Sequence, residues 1–381
     1  MKYFLIAGEA SGDLHGAEVV KALRQRDPEA EFRFLGGDLM AAAAGTAPLV
    51  HYRDMAYMGF LEVARHLRTI MGFMRTAKQA ITQWQPDAVV LIDYPSFNLK
   101  IAKHAHRLGI AVCYFISPKV WVWKEWRVKG IKRYVDQMMC ILPFEPAFYR
   151  RHDYTATYVG NPTALEIGRA LEQMPDRETF CRTHQLDPNR PIITLAPGSR
   201  VKEVRDNLPA MLTAAQGHHD CQLVLAAAPS LDHSLYSELL ADAPVTLVEG
   251  ATWQLIRHSR VALVTSGTAT LETAILGTPQ VACYRMGGSR WLYRLCRLLI
   301  KGDYVTLPNL IANAPVIPEL LIHMCTPQAI DEHLTALLAD SDSRQAQLDG
   351  YQQIATLLGN NDCATAAAEL IMKQAQTARA Q

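Results

Sequence analysis

Short apolar runs alternate with amphipathic stretches along almost the whole chain, and no other feature constrains the fold as much. Apolar runs of strand length fall at 3–7, 88–92, 110–116, 137–142 and 155–159. Helical spacing runs from Ser11-Gly12-Asp13 to Arg26, and again from Phe97 to Leu108, where Gly109 ends it. Runs that are apolar throughout belong to strands buried on both faces, and strands separated by helices are parallel. Gly160-Asn161-Pro162, Met174-Pro175-Asp176 and Asp187-Pro188-Asn189 then interrupt the pattern, as a linker does. The alternation restarts with five more runs at 192–196, 223–227, 245–248, 261–265 and 280–284, and from Pro327 onward the pattern is helical. The expected architecture is α/β, with two doubly wound parallel-sheet halves.

Composition narrows the function classes. At ~100–200 residues per domain, 381 residues fit two domains. The net charge of +1 argues against a nucleic-acid partner, which calls for a strongly basic balance. Hydrophobic residues at 49% against 20% charged support a large core and exclude general disorder. No run reaches the ~18 apolar residues that span a bilayer. The run at 2–7 is too short for a signal-peptide core and has no cleavage pattern after it. The eight cysteines include no Cys-x-x-Cys pair, so neither a zinc site nor a disulfide framework is expected. The chain reads as cytoplasmic.

In a doubly wound sheet, ligands bind beyond the carboxyl ends of the strands, and four loops there carry distinctive residues. Gly8-Glu9-Ala10-Ser11-Gly12-Asp13 offers a tight turn and the free N–H groups of a following helix. It lacks the Gly-x-Gly-x-x-Gly spacing of a dinucleotide fingerprint, and it also reads as an ordinary turn with Ser11 or Asp13 as N-cap. Asp93 directly follows the run at 88–92. A carboxylate at a strand end is partly desolvated, which raises its pKa and suits it to general-base work. Helix capping is the alternative, although Ser96 is better placed for that. In Pro197-Gly198-Ser199-Arg200, the Gly198-Ser199 turn makes an anion nest and Arg200 adds a forked donor for phosphate; a solvated arginine is the alternative. Finally, Ser266, Gly267 and Thr268 present N–H groups and hydroxyls to a diphosphate at a helix start. Glu272, one turn on, can accept both hydroxyls of a ribose, though the helix dipole alone also favours an acid there. Asp340-Ser341-Asp342 has the residues of an Asp-x-Asp metal site but no strand before it, and reads as a solvated loop.

These loops, in this order, resemble the lipid-A-disaccharide synthase family. The marks are Ala7 through Asp13, Ile92-Asp93 through Phe97-Asn98, Ser117-Pro118-Lys119-Val120-Trp121-Val122-Trp123 and Leu142-Pro143-Phe144-Glu145. Pro197 to Arg200, Ser266-Gly267-Thr268 with Glu272, and Asp303-Tyr304-Val305 through Leu307-Pro308-Asn309-Leu310 follow. The resemblance implies a GT-B fold: two Rossmann-like domains facing across a cleft, the acceptor on 1–165, the UDP-sugar on 166–345, and a helical tail at 346–381 that returns to the N-terminal domain or to a partner subunit. It implies transfer of 2,3-diacylglucosamine from UDP-2,3-diacylglucosamine to 2,3-diacylglucosamine 1-phosphate (lipid X), with inversion to a β-1,6 disaccharide and no cofactor or metal. Asp93 then takes the proton of the acceptor 6-hydroxyl, and Arg200 with Ser199 faces the departing UDP. Ser266, Gly267 and Thr268 hold the diphosphate, Glu272 the ribose. Arg285 and Asn309 frame the nucleotide pocket, and Glu9 and Ser11 line the acceptor side. The chain departs from the family at Ser96, often Asp, and at Lys119, commonly Ser, which leaves the role of Lys119 open. Other UDP-GlcNAc enzymes of GT-B shape, a murein-pathway transferase or a 2-epimerase, share the Ser-Gly-Thr…Glu turn but not the Gly8–Asp13 loop. A non-catalytic sugar-nucleotide-binding membrane adaptor would not need Asp93.

Acylated substrates imply a membrane surface as partner, at the inner face of the inner membrane. Two segments are basic and apolar together, 60–75 and 290–301, the second with four cations and no acid. Basic amphipathic helices of this kind read as interfacial anchors, or as core helices with a solvated cationic face. The second segment equally suits phosphates or a second copy of the chain, which leaves a homodimer open.

Overall fold

The computed structural model describes residues 1–55, 67–285 and 304–380. The chain divides into two compact units, Met1–Pro162 with Asn360–Gln381, and Thr163–Gly359.

The first unit is built on seven parallel strands: β1 (Lys2–Ala7), β2 (Glu31–Gly36), β3 (Val50–His51), β4 (Ala88–Ile92), β5 (Ala111–Phe115), β6 (Gln137–Cys140) and β7 (Ala156–Tyr158). Their order is β3-β2-β1-β4-β5-β6-β7. Side chains alternate across β1. Tyr3, Leu5 and Ala7 enter one apolar layer, Phe4 and Ile6 the other, and all five are fully buried. Both faces are therefore covered, which is why these runs read as continuously apolar. The helices Ala10–Arg26 and Cys363–Arg379 cover one face. The second comes from the far end of the chain. Its small-residue stripe, Ala364, Ala367, Ala368 and Ala375 with Ile371, lies in the core, and Arg379 grips Asp87 through two bonds of 2.6 and 2.9 Å.

The second unit has six parallel strands: β8 (Ile192–Ala196), β9 (Gln222–Ala227), β10 (Val245–Glu249), β11 (Val261–Thr265), β12 (Gln280–Tyr284) and β13 (Glu319–Leu321). The order is β10-β9-β8-β11-β12-β13. The helix Asp342–Leu358 belongs here, tied by a buried amide network. Gln347 accepts from the Gln280 backbone N–H at 2.5 Å, and Gln280 Nε2 donates to the Thr270 carbonyl at 2.9 Å. Ser341 caps that helix by accepting from the Arg344 N–H, and Asp340 pairs with Arg260, so the Asp-Ser-Asp sequence is a helix start.

In each sheet the order of strand addition reverses once, between β1 and β4 in the first unit and between β8 and β11 in the second. These are the switch points where doubly wound sheets open a crevice. The strands β2, β3 and β13 carry weak sequence signals: β2 opens with exposed Glu31 and Arg33, and the other two are only two and three residues long. No helix among the described residues is long and apolar enough to cross a membrane. Positions 60–66, 290–301 and Asp303 lie outside the described residues. In the described part of the first basic-apolar segment, Met74 is buried and Ile70 and Phe73 pack on the core, while Met71 is exposed.

Candidate active site

All four specialised loops stand at the two switch points. In the first unit, Ala7 pairs in register with Ile92, so Gly8 and Asp93 leave neighbouring strands side by side. A Cβ on Gly8 would come within 2.5 Å of the Tyr94 ring, which explains the glycine. The chain leaves β4 through two consecutive left-handed residues, Asp93 at φ 43° and Tyr94 at φ 47°. Such a conformation costs of order 1–3 kcal/mol per residue and persists where the surroundings impose it. Here the Asp93 N–H donates to the Phe115 carbonyl at 3.1 Å, while Tyr114 Oη–H and Asn98 Nδ2 donate to the Asp93 carbonyl at 2.5 and 2.8 Å. The backbone of Asp93 is thereby fixed and its side chain left for chemistry. Burial, then the nearby Glu9 charge, pushes its carboxyl up to about 6, against an opposing pull from Lys119.

Neither capping alternative describes this unit. The helix after β1 starts at Ala10 with Glu9 at the N-cap and no side-chain capping bond, so Ser11 lies in its first turn, exposed. Asp13 is buried and serves another element: it accepts the backbone N–H groups of Gly37, Leu39 and Met40 at 2.6, 3.1 and 3.2 Å, capping the helix Asp38–Ala44. The helix after β4 starts at Pro95 with Tyr94 as its N-cap; Ser96 sits inside it and accepts from Arg127 at 3.2 Å. The Ser117–Trp123 and Leu142–Glu145 motifs converge on a second carboxyl. Glu145 is buried, accepts from Trp121 Nε1 and the Leu142 N–H at 3.1 Å each, and burial pushes it up to about 7.

In the second unit, Arg200 is the N-cap of the helix Val201–Ala215, and Gly198 has φ 118°. The nest is filled from within. Glu203 accepts from the Ser199 N–H at 3.2 Å and from Arg200 Nη1 at 2.9 Å, and a Cβ on Gly198 would lie 2.6 Å from its Oε2. Across the switch point, Ser266, Gly267 and Thr268 lead into the helix Thr268–Ile275 with no side-chain cap, and a Cβ on Gly267 would meet no atom within 4 Å. The space before that helix is open. Just behind it, Thr265 Oγ1 is buried without a partner among the described residues.

Three side chains here, Trp253, Asn207 and Asn309, make hydrogen bonds that the sequence did not reveal. Trp253 Nε1 donates to Glu272 at 2.8 Å, fixing the carboxylate beside a cavity of about 460 Å³ lined by Met174, Pro229, Gly250, Thr252 and Trp253. Asn207, fully buried, donates to the Pro197 carbonyl of the Arg200 loop at 3.4 Å and accepts from the Arg285 backbone N–H at 2.7 Å, so it ties that loop to Arg285. Arg285 keeps an exposed side chain. Asn309 is 1% exposed and both ends of its amide are engaged: Nδ2 donates to Ile317 O and Glu319, and Oδ1 accepts from the Ile317 N–H. Its side chain holds the helix Leu307–Ala312 in place.

Two Rossmann-like parallel-sheet units, each with its polar loops gathered at a switch point, define an α/β protein of the GT-B class. Solved structures share that fold at low identity. UDP-GlcNAc 2-epimerase from Neisseria meningitidis, bound to UDP-GlcNAc, matches with a TM-score of 0.66 at 14% identity over 98% of this chain and 100% of that one. The glycotransferase of kitacinnamycin matches at 0.63 and 14%, over 98% of each chain. Sequence carries the assignment further. The lipid-A-disaccharide synthetase family model matches residues 3–374. The lipid-A-disaccharide synthase of Myxococcus xanthus (strain DK1622) is 37% identical over 98% of this chain and 97% of its own length, and that of Syntrophus aciditrophicus (strain SB) is 38% identical over 97% and 96%. The chain belongs to the lipid-A-disaccharide synthetase family and is a glycosyltransferase of lipid A disaccharide formation.

Proposed function

We propose that the chain transfers 2,3-diacylglucosamine from its UDP conjugate to the 6-hydroxyl of 2,3-diacylglucosamine 1-phosphate, with Asp93 as the general base. The observation that carries this reading is Asp93 itself: a desolvated carboxyl at a switch point, on a backbone clamped by Tyr114 and Asn98, with a pKa near the working range of a base. As the acceptor oxygen attacks the anomeric carbon, its proton passes to Asp93 and the bond from that carbon to the UDP oxygen breaks. One displacement inverts the α-linked donor to a β product. Charge accumulates on the departing diphosphate, where Arg200, Ser199 and the N–H groups at Ser266, Gly267 and Thr268 stabilise it. The diphosphate competes with Glu203 for Arg200. Glu272 holds the ribose hydroxyls, and the cavity beside Trp253 has room for the base. Arg285 and the Asn309 segment frame the nucleotide; Glu9 and Ser11 line the acceptor side. The acyl chains bring the protein to a membrane surface, peripherally and from the cytoplasmic side.

Incubation with the two defined substrates, followed by mass spectrometry and NMR of the product, tests the reading. A β-1,6 disaccharide 1-phosphate together with UDP is expected. Hydrolysis or epimerisation of the UDP-sugar without disaccharide would overturn it.

A further inference from the structure

The most exposed large apolar side chains among the described residues are Trp126 and Trp123, 69% and 58% exposed. Both sit on the loop that leaves β5, at the same edge of the sheet as Asp93. The loop is anchored from beneath. Val120 is buried, Ser117 Oγ meets Tyr149 Oη at 2.8 Å, Trp121 donates to Glu145 and packs edge-on against Phe144, and Arg127 reaches Ser96 on the helix that follows Asp93. A firmly held loop thus presents two indoles outward, and neither indole N–H has an acceptor among the described residues.

The surroundings are cationic. From Lys119 to Arg133 the chain carries six cations against one acid, Glu125, which is held by His152 at 3.0 Å. Lys124 Nζ lies 3.8 Å from the centre of the Trp123 ring, and the Arg127 guanidinium 5.8 Å from that of Trp126. Two more exposed apolar side chains, Leu14 and Leu39, follow β1 and β2 at the same edge. Indoles with free N–H groups favour the boundary between lipid headgroups and acyl chains, and clustered lysine and arginine favour an anionic leaflet.

We propose that this edge of the first unit docks on an anionic lipid bilayer, with Trp123 and Trp126 at the headgroup–acyl boundary. The proposal rests on the reading that the acceptor is an acylated sugar, and it adds which residues meet the lipid phase that holds it.

Co-sedimentation of the full chain with phosphatidylcholine vesicles, with and without phosphatidylglycerol, provides the test. Wild-type chain should bind the anionic vesicles and lose binding as salt rises. Trp123→Ser with Trp126→Ser should bind about tenfold more weakly, and Lys124→Gln about fivefold more weakly at low salt. In a second measurement, lipids brominated on the acyl chains should quench wild-type tryptophan fluorescence more than that of the double variant. Equal binding and equal quenching would overturn the proposal, as would no wild-type binding to either vesicle. Loss of self-association in the double variant with vesicle binding intact would make the surface a protein interface and overturn it too. Disaccharide formation in detergent micelles separates the two ideas. If the product forms while the double variant still binds vesicles as wild type does, the docking surface is wrong and the transferase reading stands.

Discussion

Asp93 is useful as a base only when deprotonated. With its carboxyl pushed up to about 6, kcat/KM should rise with pH through an inflection near 6 and level off above it. Asp93→Asn should remove that limb and lower turnover by roughly 10²–10⁴-fold. The same shift bears on stability. The unfolded carboxyl releases its proton near ~3.9, whereas the folded one holds it to about 6. Stability from Asp93 is thus fully present below the unfolded value and lost as pH rises through the folded one. Above that window Asp93→Asn should be more stable than wild type, by about 1–2 kcal/mol in urea unfolding once partial exposure is allowed for. A less stable variant would contradict the burial argument. Asp93 was legible because a lone carboxylate after five apolar residues stands out. Its clamp was not: Tyr114 reads as one more apolar strand residue, and only the pairing of β4 with β5 brings its hydroxyl to the Asp93 carbonyl.

At the scale of elements, the strand-helix alternation was readable because parallel strands are buried on both faces and their runs are short and unbroken. Helix starts were less so. Ser11, Asp13 and Ser96 are ordinary capping residue types, yet Glu9 and Tyr94 occupy the caps, because the geometry at each strand exit decides where the helix begins. Asp13 shows the consequence. Its carboxylate satisfies three backbone N–H groups of a neighbouring element that share no sequence pattern with it. Asp13→Ala should cost about 2–4 kcal/mol of stability in urea unfolding, since buried N–H groups lose their acceptor. Asn207 plays a comparable part in the second unit. Asn207→Ala should weaken UDP binding several-fold, read by calorimetry, because the Pro197–Arg200 loop and Arg285 lose their shared tie. Unchanged UDP affinity would show that the tie is dispensable.

Over the whole molecule, the two units divide the work: the proposed base belongs to the first and the proposed nucleotide site to the second. The helix Cys363–Arg379 belongs to the first unit although it follows the second in sequence, so the first core is completed only by the far end of the chain. This division yields the most direct test. Disaccharide turnover and UDP affinity should be measured on the same preparations of wild type, Asp93→Asn and Glu272→Ala. Asp93→Asn should lose roughly 10²–10⁴-fold in turnover with UDP affinity unchanged, while Glu272→Ala should lose UDP affinity. Turnover of Asp93→Asn at the wild-type rate, or a fall that merely tracks its UDP affinity, would contradict that division.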